Sequence, residues 1–588
     1  MPKRIKDINF QPFYRFAFGI NLVGLVLLVI DFGFNQTNFF QTIFNNFYYA
    51  VVLTGVIATA LRYVTHRKQL TLKVFLFDFI SIVTTLYIVY FHLFNSSPFF
   101  KSSFLHNFSW VKIAVLITFI RELAEQHINY KRVTFNPAQL FIASFILIIF
   151  TGSLLLMLPN ATTSPIQYID ALFTSTSAVC VTGLAVFDTG TQFTKLGQTI
   201  IVAFIQIGGL GILTFASYFS YFFKGGSSYS NQLVLSNMSN SDKIGEVFST
   251  FKRILIITFF IELIGAGMIY TSLSKTLIPS FFERVFFSIF HSISSFCNAG
   301  FSTLTNSIFQ DGYQYNYFLQ MNIISLFVLG GLGFPIVINI IQYLKYFISK
   351  HLKRIYLGKK THLPWVLNLN SRITLITTIS LTIFGTICFF FFEYNNTLSN
   401  HGLLGKIITS VFQATTPRTA GFNAVDMSLL YTPTIMITIL LMWIGASPSS
   451  TGGGIKTSTF AIATLNFLSL AKGKNKIEIY HREIGEVTVR RAFAIITLSL
   501  IIIGFGVILI SFFNPDKNLL AIIFECFSAY STAGLSLGIT STLNDGSKGV
   551  LILIMFLGRV SMLSILIAFM KKVTFKNYRY PSEEILIN

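Results

Sequence analysis

The sequence is poor in charged residues, and especially in acidic ones. Only 22 of its 588 residues are Asp or Glu, and charged residues make up 11% of the chain, whereas soluble domains carry about 25%. The nine histidines are scattered, mostly in loops or at the ends of apolar segments, and no nucleotide-binding motif is present. These absences argue against a membrane enzyme, which needs clustered His, Asp or Glu, and against an ATP-driven pump.

Cysteine is also scarce. The four cysteines, Cys180, Cys297, Cys388 and Cys526, do not have the spacing of metal ligands, and all lie in or beside apolar segments. We therefore expect them to be buried as small apolar side chains.

Apolar residues dominate the chain instead. They make up 53% of it, the mean hydropathy is +0.67, and 66 residues are Phe. These values predict an all-α polytopic membrane protein with roughly twelve spans, each of the ~20 residues that a bilayer core requires. No segment is long and polar enough to form a separate soluble domain, and no cleavable signal peptide is expected after the polar start at Met1–Lys6. The expected spans are 12–31, 46–63, 73–94, 109–125, 138–158, 194–222, 254–274, 317–347, 372–393, 432–470, 490–513 and 549–570.

The net charge of +21 predicts topology rather than nucleic-acid binding. Lys and Arg cluster between spans at every second crossing, as in Arg62–Lys73, Lys345–Arg372 and Lys472–Arg491, whereas Asp31–Asn46 has no basic residue. Basic residues concentrate in cytoplasmic loops. We therefore expect a multi-pass protein of the cytoplasmic membrane, with both termini in the cytoplasm.

One sequence unit occurs four times. Four short segments end in a small or polar residue, a glycine and a bulky apolar residue, and their glycines, Gly183, Gly300, Gly421 and Gly534, are 117, 121 and 113 residues apart. Each glycine follows an amphipathic stretch that is too short to span a bilayer, and a full-length apolar segment lies on either side. The unit is thus helix, half-helix, loop and helix. The predicted half-helices are Ile166–Val179, Phe282–Phe296, Leu404–Thr415 and Leu519–Ala529.

These units divide the chain into five expected regions. An N-terminal transmembrane extension of unknown role covers residues 1–134, and repeat 1 covers 135–224. Repeat 2 covers 225–350, repeat 3 covers 351–472, and repeat 4 with a cytoplasmic tail covers 473–588.

The four glycine loops suit an ion filter. Backbone carbonyls replace the water shell of a cation without adding net charge, and glycine permits the backbone angles that align them. The C-terminal ends of the half-helices point at the loops, and the partial negative charge of a helix C-terminus favours a cation there. Helix-packing contacts or plain turns are the alternative for any one glycine, but four in register favour a filter. The predicted filter residues are Val181, Thr182, Gly183, Asn298, Ala299, Gly300, Thr419, Ala420, Gly421, Thr532, Ala533 and Gly534.

Three motifs closely resemble the Ktr/Trk potassium-uptake transporters, and in particular the Ktr-type membrane subunit. The resemblance covers about residues 135–588, including the tail Arg579–Glu583. The motifs are Ala178-Val-Cys-Val-Thr-Gly-Leu184, Thr416-Pro-Arg-Thr-Ala-Gly-Phe-Asn423 and Ser449-Ser-Thr-Gly-Gly-Gly-Ile-Lys-Thr-Ser458.

The resemblance implies potassium as the substrate and no organic cofactor in this chain. In that family, glycine in all four loops accompanies potassium, whereas serine in the first loop accompanies sodium permeation, and this chain has Gly183. A sodium-permeable or sodium-coupled transporter of the same fold remains the alternative. The resemblance further implies a homodimer and a cytoplasmic nucleotide-binding regulatory subunit. We expect that subunit on Lys345–Arg372, Lys472–Arg491 and the tail, with anionic membrane lipid as the other partner of these basic loops.

A gate is predicted from two features inside apolar stretches. Pro448 and the glycines Gly452, Gly453 and Gly454 interrupt the second span of repeat 3 at mid-membrane, and Lys456 follows them. The string is not a phosphate-binding loop, because Ile455 precedes the lysine and no strand precedes the loop. The resemblance identifies it as the intramembrane loop that obstructs the pore and moves to open it.

Arg559 is the second gating residue. It lies about ten residues from either end of its apolar segment, and a charge at that depth normally faces a cavity or a partner. The family places an arginine here beneath the filter, followed by Gly-Pro where this chain has Ser561-Met562. A structural arginine that caps backbone carbonyls is the alternative.

Two further features have simpler explanations. The N-terminal extension is not a voltage sensor, because its fourth span contains only Lys112 and Arg121, and packing or assembly is the default role. Gly208-Gly209-Leu-Gly211 and Gly330-Gly331-Leu-Gly333 lack a dinucleotide-binding context, and close helix packing explains them better.

Overall fold

The structure is a computed structural model that describes residues 10–65, 109–125, 137–211, 247–357 and 367–560, together with single helical residues between 75 and 90 and between 565 and 569. The expected span 73–94, most of the linker 224–252, Ser561-Met562 and the C-terminal tail lie wholly or largely outside the described residues. The regular secondary structure of the described part is helical apart from one two-stranded hairpin, which confirms the all-α fold class.

Three helices form the described part of the N-terminal region, and each repeat then contributes its own set. The helices are α1 Gln11–Gly33, α2 Asn38–Thr65, α3 Ser109–Glu125, α4 Pro137–Leu156, α5 Tyr168–Cys180, α6 Lys195–Leu210, α7 Val247–Ser272, α8 Phe281–Phe296, α9 Tyr317–Leu332, α10 Phe334–Leu357, α11 Leu369–Glu393, α12 Leu403–Thr415, α13 Thr432–Trp443, α14 Thr457–Ala471, α15 Glu486–Phe513, α16 Leu519–Ser531 and α17 Asp545–Val560.

The half-helices α5, α8, α12 and α16 agree within a few residues with the expected ranges. Each is followed by its glycine loop, and a short helical turn begins six or seven residues after each glycine. These turns are Thr189–Gln192, Ser307–Phe309, Met427–Leu429 and Thr540–Thr542. The four repeats therefore share their local structure as well as their motif.

Five helices in the described part are each long and apolar enough to cross a membrane. They are Gln11–Gly33, Asn38–Val64, Lys252–Ser272, Leu369–Glu393 and Glu486–Phe513. The helices α6, α9, α13 and α17, which follow the half-helices, each contain 12 to 16 described residues.

The expected continuous span 317–347 is wrong, because it is broken. The helices α9 and α10 meet at Gly333 with a bend of 106°. Gly333 has φ +82°, and a Cβ there would lie 2.6 Å from the carbonyl oxygen of Pro448. A loop of repeat 3 thus occupies the space that a straight helix would need.

A short β-hairpin lies between α14 and α15. Strands β1 Glu478–Ile479 and β2 Arg482–Glu483 pair antiparallel, with Glu478 opposite Glu483. Tyr480 and His481 form the turn with positive φ of 48° and 60°, the backbone twist that two-residue hairpins favour.

The apolar cores join each repeat to the next. One core contains α4, α5 and α6 together with Phe290 and Phe301 of repeat 2. A second joins repeat 2 to Phe412 and Phe422 of repeat 3. A third core joins repeat 3 to repeat 4. The fourth core joins repeat 4 to repeat 1 through Phe173. The repeats therefore close into a ring around one axis.

The N-terminal helices pack on one another beside repeat 1. Their buried charges are paired: Arg62 binds Glu122 through two hydrogen bonds of 2.9 and 2.5 Å, and Arg121 lies 2.8 Å from Asp78. Where α1 ends, the Asn160 side chain donates to the carbonyl of Phe32 at 3.2 Å. This contact attaches the N-terminal region to the end of α4.

Candidate functional site

The four glycine loops meet on the axis of the ring. A Cβ on Gly300 would lie 2.7 Å from the Cα of Gly421, and a Cβ on Gly421 would lie 2.9 Å from the carbonyl oxygen of Ala533. A Cβ on Gly534 would clash with the carbonyl of Thr182, and one on Gly183 with that of Ala299. Each loop thus touches the next in chain order, and the fourth touches the first.

The loops share one backbone pattern. Each begins with a residue in the left-handed region, and these residues, Val181, Asn298, Thr419 and Thr532, have φ between +50° and +82°. The middle residue is not left-handed, and the glycine two positions on has φ between +71° and +90°. Glycine is the residue that adopts this conformation freely. The same order of φ signs, positive, negative and positive, occurs in each of the four three-residue segments that the sequence assigns to the filter.

Hydrogen bonds join neighbouring loops at their first residues. Thr419 donates from its hydroxyl to the Asn298 amide oxygen at 3.1 Å, and the Asn298 amide nitrogen donates to the carbonyl of Phe327 at 3.0 Å. In loop 1, the Ser177 hydroxyl accepts the N–H of Gly183 at 3.1 Å. The loops are thereby held by side chains that stand behind them.

A vestibule of about 370 Å³ opens at the glycine end of the ring. The four glycines line it, together with Asp188 and Asp426. Burial raises the pKa of the Asp188 carboxyl above its ordinary value, although the N–H of Gly190 opposes that shift. Carboxylates in such a mouth attract cations to the ring.

The segment between α13 and α14 lies on the other side of the ring. The N–H of Gly453 donates to the Thr532 hydroxyl at 2.8 Å. A Cβ on Gly452 would clash with the Thr419 side chain, and one on Gly454 would lie 3.1 Å from the Cα of Ser531. This segment therefore touches the first residues of loops 3 and 4 and covers that end of the ring.

The same segment is tied to its surroundings. The Lys456 ammonium donates to the carbonyls of Gly452 and Gly453 at 2.5 and 3.3 Å, and the N–H of Ser447 donates to the carbonyl of Gly331 at 3.0 Å. The carbonyl of Pro448 lies beside Gly333, where the chain bends between α9 and α10.

Arg559 lies beside this segment. Its guanidinium donates to the carbonyl of Thr451 and, at 2.5 Å, to that of Gly208. One side chain of repeat 4 thus joins the segment of repeat 3 to the last turn of α6 in repeat 1. The expected packing glycines lie nearby, since Gly208 rests on the carbonyl of Val179 and Gly330 on that of Phe296.

The sequence interpretation missed several polar groups behind the loops. Glu262 of α7 accepts from the Gln206 amide at 3.1 Å and lies 3.8 Å from the Cys297 sulfur. His291 and Glu525 are fully buried in α8 and α16. The signal that was available is a single titratable residue inside an otherwise apolar stretch.

The chain matches a known family over most of its length. The family model TrkH, described as a cation transport protein, matches residues 103–579. The match begins about thirty residues earlier than the expected start of the resemblance.

Two relatives and one solved structure agree with that match. The Ktr system potassium uptake protein B of Bacillus subtilis is 37% identical over 77% of this chain and 97% of its own. The potassium/sodium uptake protein NtpJ of Enterococcus hirae is 35% identical over the same shares. In fold, the chain is similar to the potassium transporter TrkH from Vibrio parahaemolyticus, with a TM-score of 0.59, 16% identity, and coverage of 95% of this chain and 99% of that one. That coverage extends into residues 1–134. The chain belongs to the TrkH family of membrane cation transport proteins, and it is not an enzyme.

Proposed function

We propose that this chain carries potassium ions across the cytoplasmic membrane through the ring of four glycine loops. The observation that supports this best is the ring itself, in which the glycine of each loop has positive φ and no room for a side chain. Carbonyls of Val181-Thr182, Asn298-Ala299, Thr419-Ala420 and Thr532-Ala533 line the path with those of the four glycines. They replace the hydration shell of the ion.

Sodium transport is the second candidate, and the printed name of NtpJ, a potassium/sodium uptake protein, favours it. Ion flux decides between the two. The purified chain is reconstituted in liposomes that are loaded with potassium or sodium, and uptake of a rubidium tracer is followed. We expect added potassium to inhibit rubidium uptake strongly and added sodium to inhibit it weakly. Equal inhibition by the two ions would favour the sodium alternative.

The segment Ile444–Lys456 acts as the gate in this proposal. It covers one end of the ring, and few of its backbone groups are held by regular secondary structure, so its displacement costs less than moving a packed helix. Arg559 holds the segment through Thr451 and places a positive charge beside the ion path.

The regulatory partner is a cytoplasmic subunit that binds nucleotides, and the transporter is a homodimer with both termini in the cytoplasm. The proposed docking surface consists of Lys345–Arg372, the hairpin region Lys472–Arg491 and the C-terminal tail. Within this surface, the hairpin exposes Lys474 and Lys476, which pair with Glu478 and Glu483. Anionic lipid is the alternative partner for the same basic residues.

Co-purification tests this partner. The native membrane is solubilised at low salt with nucleotide, because surface charge pairs weaken at high ionic strength. A soluble nucleotide-binding protein should elute with the dimer, and charge reversal at Lys474 and Lys476 should release it. Elution of the chain with lipid alone would contradict the assignment.

A further inference from the structure

Two buried side chains hold the segments that follow the filter glycines of repeats 2 and 4. His291 in α8 lies nine residues before Gly300, and Glu525 in α16 lies nine residues before Gly534. Both side chains are completely buried. Each contacts the serine that lies two residues after its glycine, Ser302 in repeat 2 and Ser536 in repeat 4.

The hydrogen bonds of His291 define its role. Its Nδ1 lies 2.9 Å from the carbonyl oxygen of Phe287, and because a carbonyl only accepts, Nδ1 carries the proton. In the neutral imidazole, Nε2 is then an acceptor, and it lies 2.9 Å from the Ser302 hydroxyl. That hydroxyl also accepts the N–H of Leu304 at 3.0 Å. Ser302 thus donates to His291 and fixes the backbone two residues further on.

Glu525 makes the same arrangement with a different acceptor. Its Oε1 accepts from the Ser536 hydroxyl and, at 3.0 Å, from the Thr540 hydroxyl. The Ser536 hydroxyl accepts the N–H of Gly538 at 2.9 Å. In both repeats an acceptor on the half-helix binds a serine hydroxyl, which in turn binds the N–H group two residues after it.

Repeats 1 and 3 differ at these positions. Repeat 1 has Thr174 and Ala185, and the Thr174 hydroxyl donates to the carbonyl of Asp170 within its own helix. Repeat 3 has Phe412 and Asn423. Because the loops follow one another around the ring in chain order, the two serine contacts lie on opposite sides of the axis.

We propose that His291 and Glu525 are positioning residues that set the ion preference of the filter by fixing the outer ends of loops 2 and 4. This inference rests on the proposed role of the loops as a filter. The discrimination between ions depends on where the carbonyls are held, and a site placed by locked supporting side chains keeps that geometry. Loss of a buried contact leaves its partner unsatisfied and lets the segment move.

The test removes either end of each contact. Ser302→Ala and Ser536→Ala remove the donor, and His291→Leu and Glu525→Leu remove the acceptor. His291→Gln and Glu525→Gln keep an acceptor oxygen at the same reach and serve as rescue variants. Thr174→Ala, at the corresponding position of the half-helix in repeat 1, is the matched control. Each full-length variant is reconstituted in liposomes. The concentrations of sodium and of potassium that halve rubidium uptake are measured, and their ratio gives the ion preference.

We expect the Ala and Leu variants to lose the preference for potassium by about tenfold, as a loss of 1–2 kcal/mol implies. The Gln variants and Thr174→Ala should keep it. A second readout is independent of transport. Potassium added to the purified protein should raise its unfolding temperature more than sodium does, and this difference should shrink in the Ala variants.

The outcomes separate this inference from the filter proposal. Gly183→Ser is measured in the same assay, and an unchanged preference in that variant would contradict the filter itself. If Gly183→Ser loses preference while folded Ser302→Ala and Ser536→Ala keep it, the positioning role is wrong. These serine variants remove one oxygen each, so they decide the question even where a Leu variant fails to fold.

Discussion

Gly183 shows at the scale of one residue why the filter loops require glycine. It has φ +90°, and a Cβ there would meet the carbonyl of Ala299 in the neighbouring loop. Gly183→Ser is thus strained by its backbone and displaces loop 2. We expect it to lower the preference for potassium over sodium by about tenfold, measured by competition against rubidium uptake.

Gly473 provides the control for this substitution. It also has positive φ, at +67°, but it has open space around it and lies at the end of α14. Gly473→Ser carries the same backbone strain without touching the ring, so it should leave ion preference unchanged. Equal effects of the two serines would mean that general strain, and not the ring, sets the preference.

Arg559 is the single residue on which the proposed barrier to cations depends. Its guanidinium caps the carbonyls of Thr451 and Gly208, and in the proposed function its charge lies beside the ion path. Arg559→Ala removes the repulsion of cations and releases the segment Ile444–Lys456. We expect potassium flux to rise by about tenfold, which corresponds to about 1.4 kcal/mol of barrier.

The control for Arg559→Ala is a substitution of an arginine that lies outside the proposed ion path. Arg490 is exposed and pairs with Glu486 on the same helix turn, so Arg490→Ala should change flux little. A fall in flux for folded Arg559→Ala would show that the arginine builds the pathway instead of closing it.

The interrupted span of repeat 3 is the element that the gate proposal depends on. Deleting Ser450–Gly454 removes the part that touches Thr419 and Thr532. We expect a higher potassium flux and less dependence on the cytoplasmic partner, because the covered end of the ring is opened. Flux is measured in liposomes with and without the co-purified partner.

A milder variant accompanies the deletion. Lys456→Gln weakens the bonds to the carbonyls of Gly452 and Gly453 and should raise flux by a smaller amount. Reduced flux in both variants, with the protein still folded, would contradict a gating role for this segment.

The N-terminal helices depend on buried ion pairs. Both side chains of the Arg62–Glu122 pair are at most 9% exposed. Removing one partner of such a pair leaves a buried charge uncompensated and costs about 3–5 kcal/mol. We expect Glu122→Ala to lower stability by that amount, measured by equilibrium unfolding in detergent micelles.

Two results complete that test. The double variant Arg62→Leu with Glu122→Leu should recover most of the stability, because neither charge of this pair is left buried without its partner. Flux per folded protein should stay unchanged if these helices serve packing or assembly. Lost flux in a folded Glu122→Ala protein would show that the N-terminal region takes part in transport.

At the scale of the whole molecule, the repeats were readable from the sequence because each carries its own signal. The spacing of the glycines predicted four half-helices, and Pro448 with three glycines predicted the interruption of a span. These features depend on local backbone preferences. The helices α5, α8, α12 and α16 and the break between α13 and α14 lie where the sequence placed them.

Features that depend on another repeat were not predicted. Gly333 reads as a packing glycine like Gly330, but α9 ends there because the carbonyl of Pro448 occupies the space beside it. The contacts of His291 and Glu525 lie within a single repeat, and they were missed because a single titratable residue in an apolar stretch does not reveal its partner. The pairs Arg62–Glu122 and Arg121–Asp78 join residues far apart in the chain.

The most direct test of the central claim is to locate the transported ion. Crystals of the full-length protein grown in rubidium salt would give anomalous density at each ion. Our account predicts a peak on the axis of the ring, within reach of the carbonyls of Thr182, Ala299, Ala420 and Ala533, and its loss when rubidium is replaced by sodium. Rubidium bound only away from the four glycine loops, with none on that axis, would contradict it.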